Sequence, residues 1–342
     1  MEYPSLDTAK AGAIRFNTNS SQMEIYDGNQ WTGILATSSF LQTGGTRGLI
    51  MGGIKLNPTR RTEDVEFINI DSTGNGIDFG DLTQSASQGG GVGSRTRAVA
   101  GGGTPSSPGG TNNIDFHEFA STGNFNDFGD FATTGFARAG ISNQTRGVWL
   151  GRAVAPGTFN TIEYITIAST GDSKDFGDLT ANRHTLGAAG NATRGIAIGG
   201  GPNSGPSTLG TMDYVEIATQ GNAAEFGDLT AQSVWNTRGG NCGNAVRGLV
   251  TGGGSPGETN TIQFVTISTL GTAVDFGDRT VAKSQVAHMS STTRGVFAGE
   301  GNAVVDVIDY VQIMTTANAV DFGDLTEGNG YCAGASNGHG GL

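Results

Sequence analysis

Basic side chains, cysteine and histidine are all scarce in this 342-residue chain, and each scarcity excludes something. Lysine and arginine number 19 against 31 aspartates and glutamates, for a net charge of −12. A phosphate backbone is bound by a basic stripe, so the balance argues against a nucleic-acid partner. The one cationic cluster, Lys55, Arg60 and Arg61, falls in a single segment and reads as a solvated loop. Two cysteines, Cys242 and Cys332, build no disulfide framework, and neither has the Cys-x-x-Cys or Cys/His spacing of a zinc site. The four histidines, His117, His184, His288 and His339, show no metal-ligand spacing and complete no Ser/His/Asp set. Neither enzyme activity nor a cofactor is expected. The chain opens Met-Glu-Tyr-Pro-Ser-Leu-Asp, without a basic-then-apolar leader, and holds no apolar run of about 18 residues. Synthesis in a cytoplasm without membrane insertion is therefore expected. Long windows of 3.6-residue periodicity are missing as well.

Glycine is what the chain has in excess, at 59 residues and with no Gly-X-Y period, which points to turns and crowded backbone. The apolar remainder favours Val, Ile, Phe and Tyr, residues that suit strands, so the chain reads as all-β. One pattern occurs six times, about 49 residues apart. Its first half is Thr-Arg-Gly, an apolar triplet and glycines, at Arg47, Arg97, Arg146, Arg194, Arg247 and Arg294 (with small variations). Its second half is acid-Phe-Gly-Asp, ending at Asp81, Asp130, Asp178, Asp228, Asp278 and Asp324. A fixed period in this range marks a unit too small to bury its own apolar face. Four short strands per unit of about this length make a propeller blade, so six copies predict a six-bladed β-propeller over residues 46–342.

Each unit resolves into four segments. Runs such as Leu49-Ile50-Met51 and Val148-Trp149-Leu150 are apolar on both faces, as in a strand covered on both sides. After a variable loop comes an alternating segment such as Ile162–Ile167, whose phase breaks after the aromatic and hints at a bulge. A turn and the acid-Phe-Gly-Asp segment follow. The last segment is built of small residues, as in Leu186–Asn191 or Ala139–Asn143, which suit an innermost strand where blades converge. No such segment precedes Arg47, and one is left over at Tyr331–Asn337. It is expected to return beside residues 47–51 and close the first blade, removing an exposed edge. The rival for that slot, Thr37–Thr43, carries the bulkier Phe40 and Leu41.

Asp-Phe-Gly is also a protein-kinase motif, but the Gly-rich loop, strand lysine and His-Arg-Asp segment of a kinase are missing. Six copies argue for structure, with Phe wedged between units. A repeated Arg with a repeated Asp predicts a bidentate pair that pins blade register; anion or receptor binding by the arginines is the rival. Gly199-Gly200-Gly201-Pro202 lacks the Lys-Ser/Thr of a phosphate cradle. The variable loops at 54–64, 104–113, 154–161, 202–211 and 255–261 should emerge on one face, where repeat folds bind. Their candidate binding residues are Lys55, Arg60, Arg61, Pro105, Asn112, Pro156, Asn203 and Pro256.

Residues 1–35 lie outside the repeat, and 36–45 read as a linker. Two alternating runs, around Ile14–Thr18 and Met23–Tyr26, predict a β-hairpin, with Asp27-Gly28 as a second tight turn. So small a module should dock or oligomerise, with Phe16, Tyr26 and Trp31 as its anchor residues.

The double-glycine strand ends, the period and the aromatic strand resemble kelch-type propellers over about 295 residues, without the repeated kelch tryptophan. The first 35 residues, through Gly12-Ala13-Ile14-Arg15-Phe16-Asn17-Thr18, Tyr26-Asp27-Gly28 and Trp31, resemble the N-terminal module of bacteriophage tail-fibre and other virion proteins, especially of marine phages. The resemblance implies a non-enzymatic virion structural protein, a homo-oligomer held to other virion proteins by that module. The propeller would then face a host-surface glycan. Capsid decoration (a head fibre) is the nearest alternative, an intracellular kelch-type scaffold the next, and a polysaccharide-degrading propeller the last.

Overall fold

The computed structural model describes residues 10–17, 22–33, 46–56, 58–105, 109–202, 210–230, 241–253, 257–301 and 305–342. Every regular element in them is a strand, as the β-branched and aromatic content leads one to expect. The chain divides into two compact units, Met1–Gly44 and Gly45–Leu342.

In the first unit Ile14–Asn17, Gln22–Tyr26 and Trp31–Gly33 form an antiparallel meander. Asp27 makes its expected turn: Oδ1 accepts from the N–H groups of Asn29 and Gln30. The pairings Ile14–Ile25 and Phe16–Met23 put these four side chains on one face, because opposed residues share a face. Ile14, Phe16 and Met23 on that face are exposed. Arg15 lies on the other face, stacked 4.2 Å from the Trp31 ring centroid and bridged to Glu24.

Among the described residues the second unit holds six antiparallel sheets. Sheet I contains Ala333–Ser336, Arg47–Leu56, Thr59–Asn69 and Ile77–Asp81, in that order. Sheet II contains Gly90–Gly93, Arg97–Gly101, Thr111–Glu118 and Asn126–Gly135. Sheet III contains Ala139–Ser142, Arg146–Val154, Gly157–Thr166 and Lys174–Asp178. Sheet IV contains Gly187–Gly190, Arg194–Ile198, Thr211–Glu216 and Ala224–Asp228. Sheet V has three strands, Arg247–Gly253, Thr259–Thr266 and Val274–Asp278; Gly243 adds one bridge to Gly248. Sheet VI contains Ala287–Ser290, Arg294–Ala298, Val307–Gln312 and Val320–Asp324.

The C-terminal segment pairs where the strand count requires: Ala333 opposes Met51, Gly334 opposes Ile50 and Ala335 opposes Leu49. The rival segment Thr37–Thr43 lies outside the described residues. The small-residue segments are the first strands of their sheets and are fully buried. Smallness is required of them. A Cβ on Gly140 would meet the Gly91 carbonyl oxygen at 2.1 Å, and one on Gly91 would meet that of Gly334 at 2.2 Å.

The bulge lies elsewhere than the sequence phase placed it. In all six sheets the extra residue is the Phe of the outer strand. Val65 opposes Gly80 while Glu66 opposes Asp78, so Phe79 is left unpaired, and Phe128, Phe176, Phe226, Phe276 and Phe322 repeat this. Freed from the ladder, each Phe turns inward and is buried. It meets the middle-strand aromatic edge-on, as Phe79 meets Phe67 at 6.1 Å and Phe176 meets Tyr164 at 5.8 Å.

Among the described residues the core is divided into six apolar clusters, each lying between two sheets. Phe79 packs with Ala98 and Phe119 of sheet II, Phe128 with Trp149 and Ile165 of sheet III, and Phe176 with Val215 and Ile217 of sheet IV. Phe226 packs with Val265 of sheet V and Phe276 with Val311 of sheet VI. The sixth cluster joins Phe322 of sheet VI to Ile50, Ile68 and Ile70 of sheet I. Removing residues 328–342 strips sheet I of its first strand and opens the buried Leu49, Ile50 and Met51 beside it to water. The melting temperature is expected to fall by about 10 °C or more in thermal circular dichroism.

Candidate functional site

The repeated arginines stand at the start of each second strand, half-buried. Each guanidinium lies over the middle-strand aromatic of its own sheet: Arg47 over Phe67, Arg97 over Phe116, Arg146 over Tyr164, Arg194 over Tyr214, Arg247 over Phe264 and Arg294 over Tyr310, at 4.3–5.0 Å. With the inward Phe this makes a column of cation, ring and ring in every unit. Each Nη1 then donates to a main-chain carbonyl of the next sheet. Arg47 reaches Phe119 at 2.6 Å, Arg97 reaches Ile167 at 2.9 Å and Arg146 reaches Ile217 at 2.9 Å. Arg194, Arg247 and Arg294 reach Ile267, Ile313 and Ile70, each at 3.1 Å. The last of these bonds runs from sheet VI to sheet I.

The expected pairing with the repeated aspartates does not form. Arg47 is level with Asn69 on the neighbouring strand whereas Asp81 is level with Asp64, about 16 Å away along that strand. Asp81, Asp130, Asp178, Asp228, Asp278 and Asp324 act through their main chain. Their carbonyls accept from the N–H groups of Phe125, Ser173, Ala223, Ala273, Ala319 and Gly76, each in the next sheet's turn. The preceding glycine makes this approach possible. Gly80 has φ 143°, and a Cβ there would lie 2.3 Å from the Gly123 carbonyl oxygen.

A third repeated link was not singled out in the sequence, although its signal is there. The residue before each middle-strand aromatic is Glu66, Asp115, Glu163, Asp213, Gln263 or Asp309, and all six are buried. A threonine follows Phe-Gly-Asp-x in five units. Thr326, Thr83, Thr180, Thr230 and Thr280 give both hydroxyl and N–H to Glu66, Asp115, Asp213, Gln263 and Asp309 of the next sheet. Where Ala132 replaces the threonine, Thr133 and Ser173 hydroxyls serve Glu163 instead.

Three arginines outside the repeat join this acid row. Arg138 pairs with Glu163 at 2.8 Å, Arg183 with Asp213 and Arg279 with Asp309 at 3.1 Å, all fully buried. Burial lowers the Arg138 guanidinium to about 10, so it stays charged at neutral pH. Asp115 faces no such cation, and burial raises its carboxyl. Glu300 is fully buried, neither oxygen is hydrogen-bonded among the described residues, and burial pushes it up to about 7.

The loop residues are placed unevenly. Lys55 is buried in ion pairs with Asp64 and, at 3.3 Å, Glu327, so it anchors a hairpin and is not part of a solvated loop. Arg60 and Arg61 stand on the strand Thr59–Asn69; Arg60 is exposed, and Arg61 donates to the Ser87 hydroxyl at 3.3 Å. Asn112 is a strand residue, Pro105 is half-buried, and Pro156 tips the exposed hairpin joining residues 146–154 and 157–166. Asn203 and Pro256 lie outside the described residues. Of the anchor residues, Phe16 is exposed, Tyr26 is buried and Trp31 lies 5.4 Å from the Tyr26 ring.

Among the described residues no cluster of His, Cys, Asp and Glu side chains is placed to hold a metal ion. Cys242 and Cys332 are free and buried in different clusters, and burial pushes the Cys332 thiol up to about 12. The chain matches no protein-family model and no curated protein.

Two substitutions separate the acid row from the motif aspartates. Asp213→Ala leaves Arg183 buried without its counter-charge and is expected to cost about 3–5 kcal/mol in urea unfolding. Asp228→Asn alters an exposed carboxylate and is expected to stay within about 0.5 kcal/mol of the parent.

Proposed function

We propose that sheets I–VI are the blades of a six-bladed, kelch-like propeller closed by the C-terminal strand. The body is then the display domain of a non-enzymatic bacteriophage virion protein. Three series of links support the architecture, because each passes from one sheet to the next and then from sheet VI to sheet I: the apolar clusters, the arginine bonds and the threonine–acid bonds.

The division of labour between the two ends of the sheets carries the functional reading. One end repeats closely, with every turn engaged by the preceding outer strand. The other end carries the connections whose sequence and length differ from unit to unit, among them the long hairpins of sheets I and III. A uniform end holds the body together while a variable end is free to meet a ligand, here proposed to be a host-surface glycan. The separate first unit, a small sheet with an exposed apolar face, suits attachment to other virion proteins and self-association. Its likeness to tail-fibre modules favours a tail appendage, with capsid decoration as the variant of the same reading.

The test is immunogold electron microscopy of particles assembled with a chain that carries an epitope in the exposed hairpin turn at residues 155–156. Label at the tail is expected, and label on the capsid would select the decoration variant. Unlabelled particles in cells that express the chain would contradict a virion role.

A further inference from the structure

Beyond the last strand, residues 337–342 fold across the ends of several first strands. The Asn337 N–H donates to the Arg47 carbonyl at 3.1 Å, and its Oδ1 accepts the Arg47 N–H at 2.8 Å. The Gly340 N–H donates to the Gly243 carbonyl at 3.0 Å. Side chains have no room at the glycines of this stretch. A Cβ on Gly341 would lie 1.9 Å from the Ser142 carbonyl oxygen, and one on Gly340 would lie 2.2 Å from that of Asn244.

His339 sits at the centre of these contacts and is fully buried. Its Nε2 faces the Gly93 carbonyl at 3.2 Å and the Ser142 hydroxyl at 3.1 Å. Its Nδ1 faces two donors, the Gly341 N–H and the Asn241 Nδ2, both at 3.1 Å. The Asn241 amide cannot turn over to offer its oxygen, because its Oδ1 accepts the Gly190 N–H at 2.6 Å while its Nδ2 also donates to the Gly190 carbonyl at 2.9 Å. The site therefore holds the neutral imidazole with its proton on Nε2. A second proton, on Nδ1, would point at two N–H groups in a place water does not reach.

We propose that His339 is an acid-operated latch: protonation of Nδ1 releases residues 338–342 from the ends of the first strands while the sheets stay folded. Sheets II, III and V each contribute a group to the latch, so release uncouples all three at that end of the body.

Charge around the ring does nothing to offset a second proton. The contacting groups Gly93, Ser142, Asn241 and Gly341 are uncharged, and the nearby charged side chain among the described residues is Arg95, also a cation. Burial brings the folded-state pKa down to about 4, below the ordinary value of 6.5; the Gly93 carbonyl bond opposes the shift and Arg95 adds to it. A group depressed on folding adds stability that is complete above the unfolded-state pKa. The latch is accordingly firm above pH 6.5 and loosens as pH falls toward 4. His288 is also buried and also depressed, to about 3, but its ring lies among the strands of sheets V and VI and not under the tail.

The experiment is hydrogen exchange of the intact chain by mass spectrometry at pH 7 and pH 4, corrected for intrinsic rates. The peptide covering 338–342 is expected to lose at least about tenfold in protection at pH 4 while the strand Arg146–Val154 keeps its own. In H339Q, which offers no second proton site, the tail should be equally protected at both pH values. A tail that stays protected at pH 4 overturns the proposal, as does a loss shared by 146–154 or a loss unchanged in H339Q. If H339Q does not fold, the two wild-type peptides decide by themselves.

Discussion

The structure of the second unit depends on the bulge at the Phe of each outer strand. Without it the outer strand would run on in register, its Phe would alternate to the solvent side, and the motif carbonyls would face water. With it, one residue drops out of the ladder and becomes the apolar wedge between two sheets. The glycine that follows takes a φ near 143° and lets the main chain come within bonding distance of the next sheet's turn. A single local irregularity thus supplies both apolar and polar contact to the neighbour.

Two further links grade the contact from end to end. At the uniform end the arginine reaches across to a carbonyl, a charge-assisted bond worth about 1.5–3 kcal/mol when partly shielded from water. Its position over an aromatic ring fixes the side chain for that reach. Toward the variable end, buried acids take hydroxyl and N–H donors from the preceding sheet, and three of them take an arginine as well. Such buried pairs set register more than they add net stability, since burial of both charges offsets much of their attraction. Glu300, without a hydrogen-bond partner among the described residues, marks where that arrangement departs from the repeat: Gly53, Gly103, Gly200 and Gly253 hold the matching place in four other units.

Much of this was legible in the sequence because repetition isolates what the fold demands. The spacing of Arg47 and its counterparts marked the second strands, the small residues of 331–337 found their place beside 47–51, and Asp27-Gly28 marked its turn. The arginine partner was misread because two residues repeated together need not be neighbours: each Arg meets a main-chain carbonyl, which leaves no trace in side-chain identity. The acid row was overlooked because its members vary among Glu, Asp and Gln, which accept the same donors. Lys55 looked solvated because its partners, Asp64 and Glu327, are far apart in sequence. Arg138, Arg183 and Arg279 fall outside the repeat, so periodicity had nothing to say of them. What the variable end binds is written in loop residues without a pattern, and no periodic argument reaches it.

The central claim is that the seam between sheets VI and I is equivalent to the seams within the series. Urea unfolding of Arg294→Met and Arg194→Met tests it, since the first cuts the arginine link at that seam and the second cuts one inside the series. The two losses are expected to agree within about 0.5 kcal/mol, because the proposed propeller has no terminal seam. A neutral Arg294→Met beside a destabilised Arg194→Met would contradict the account.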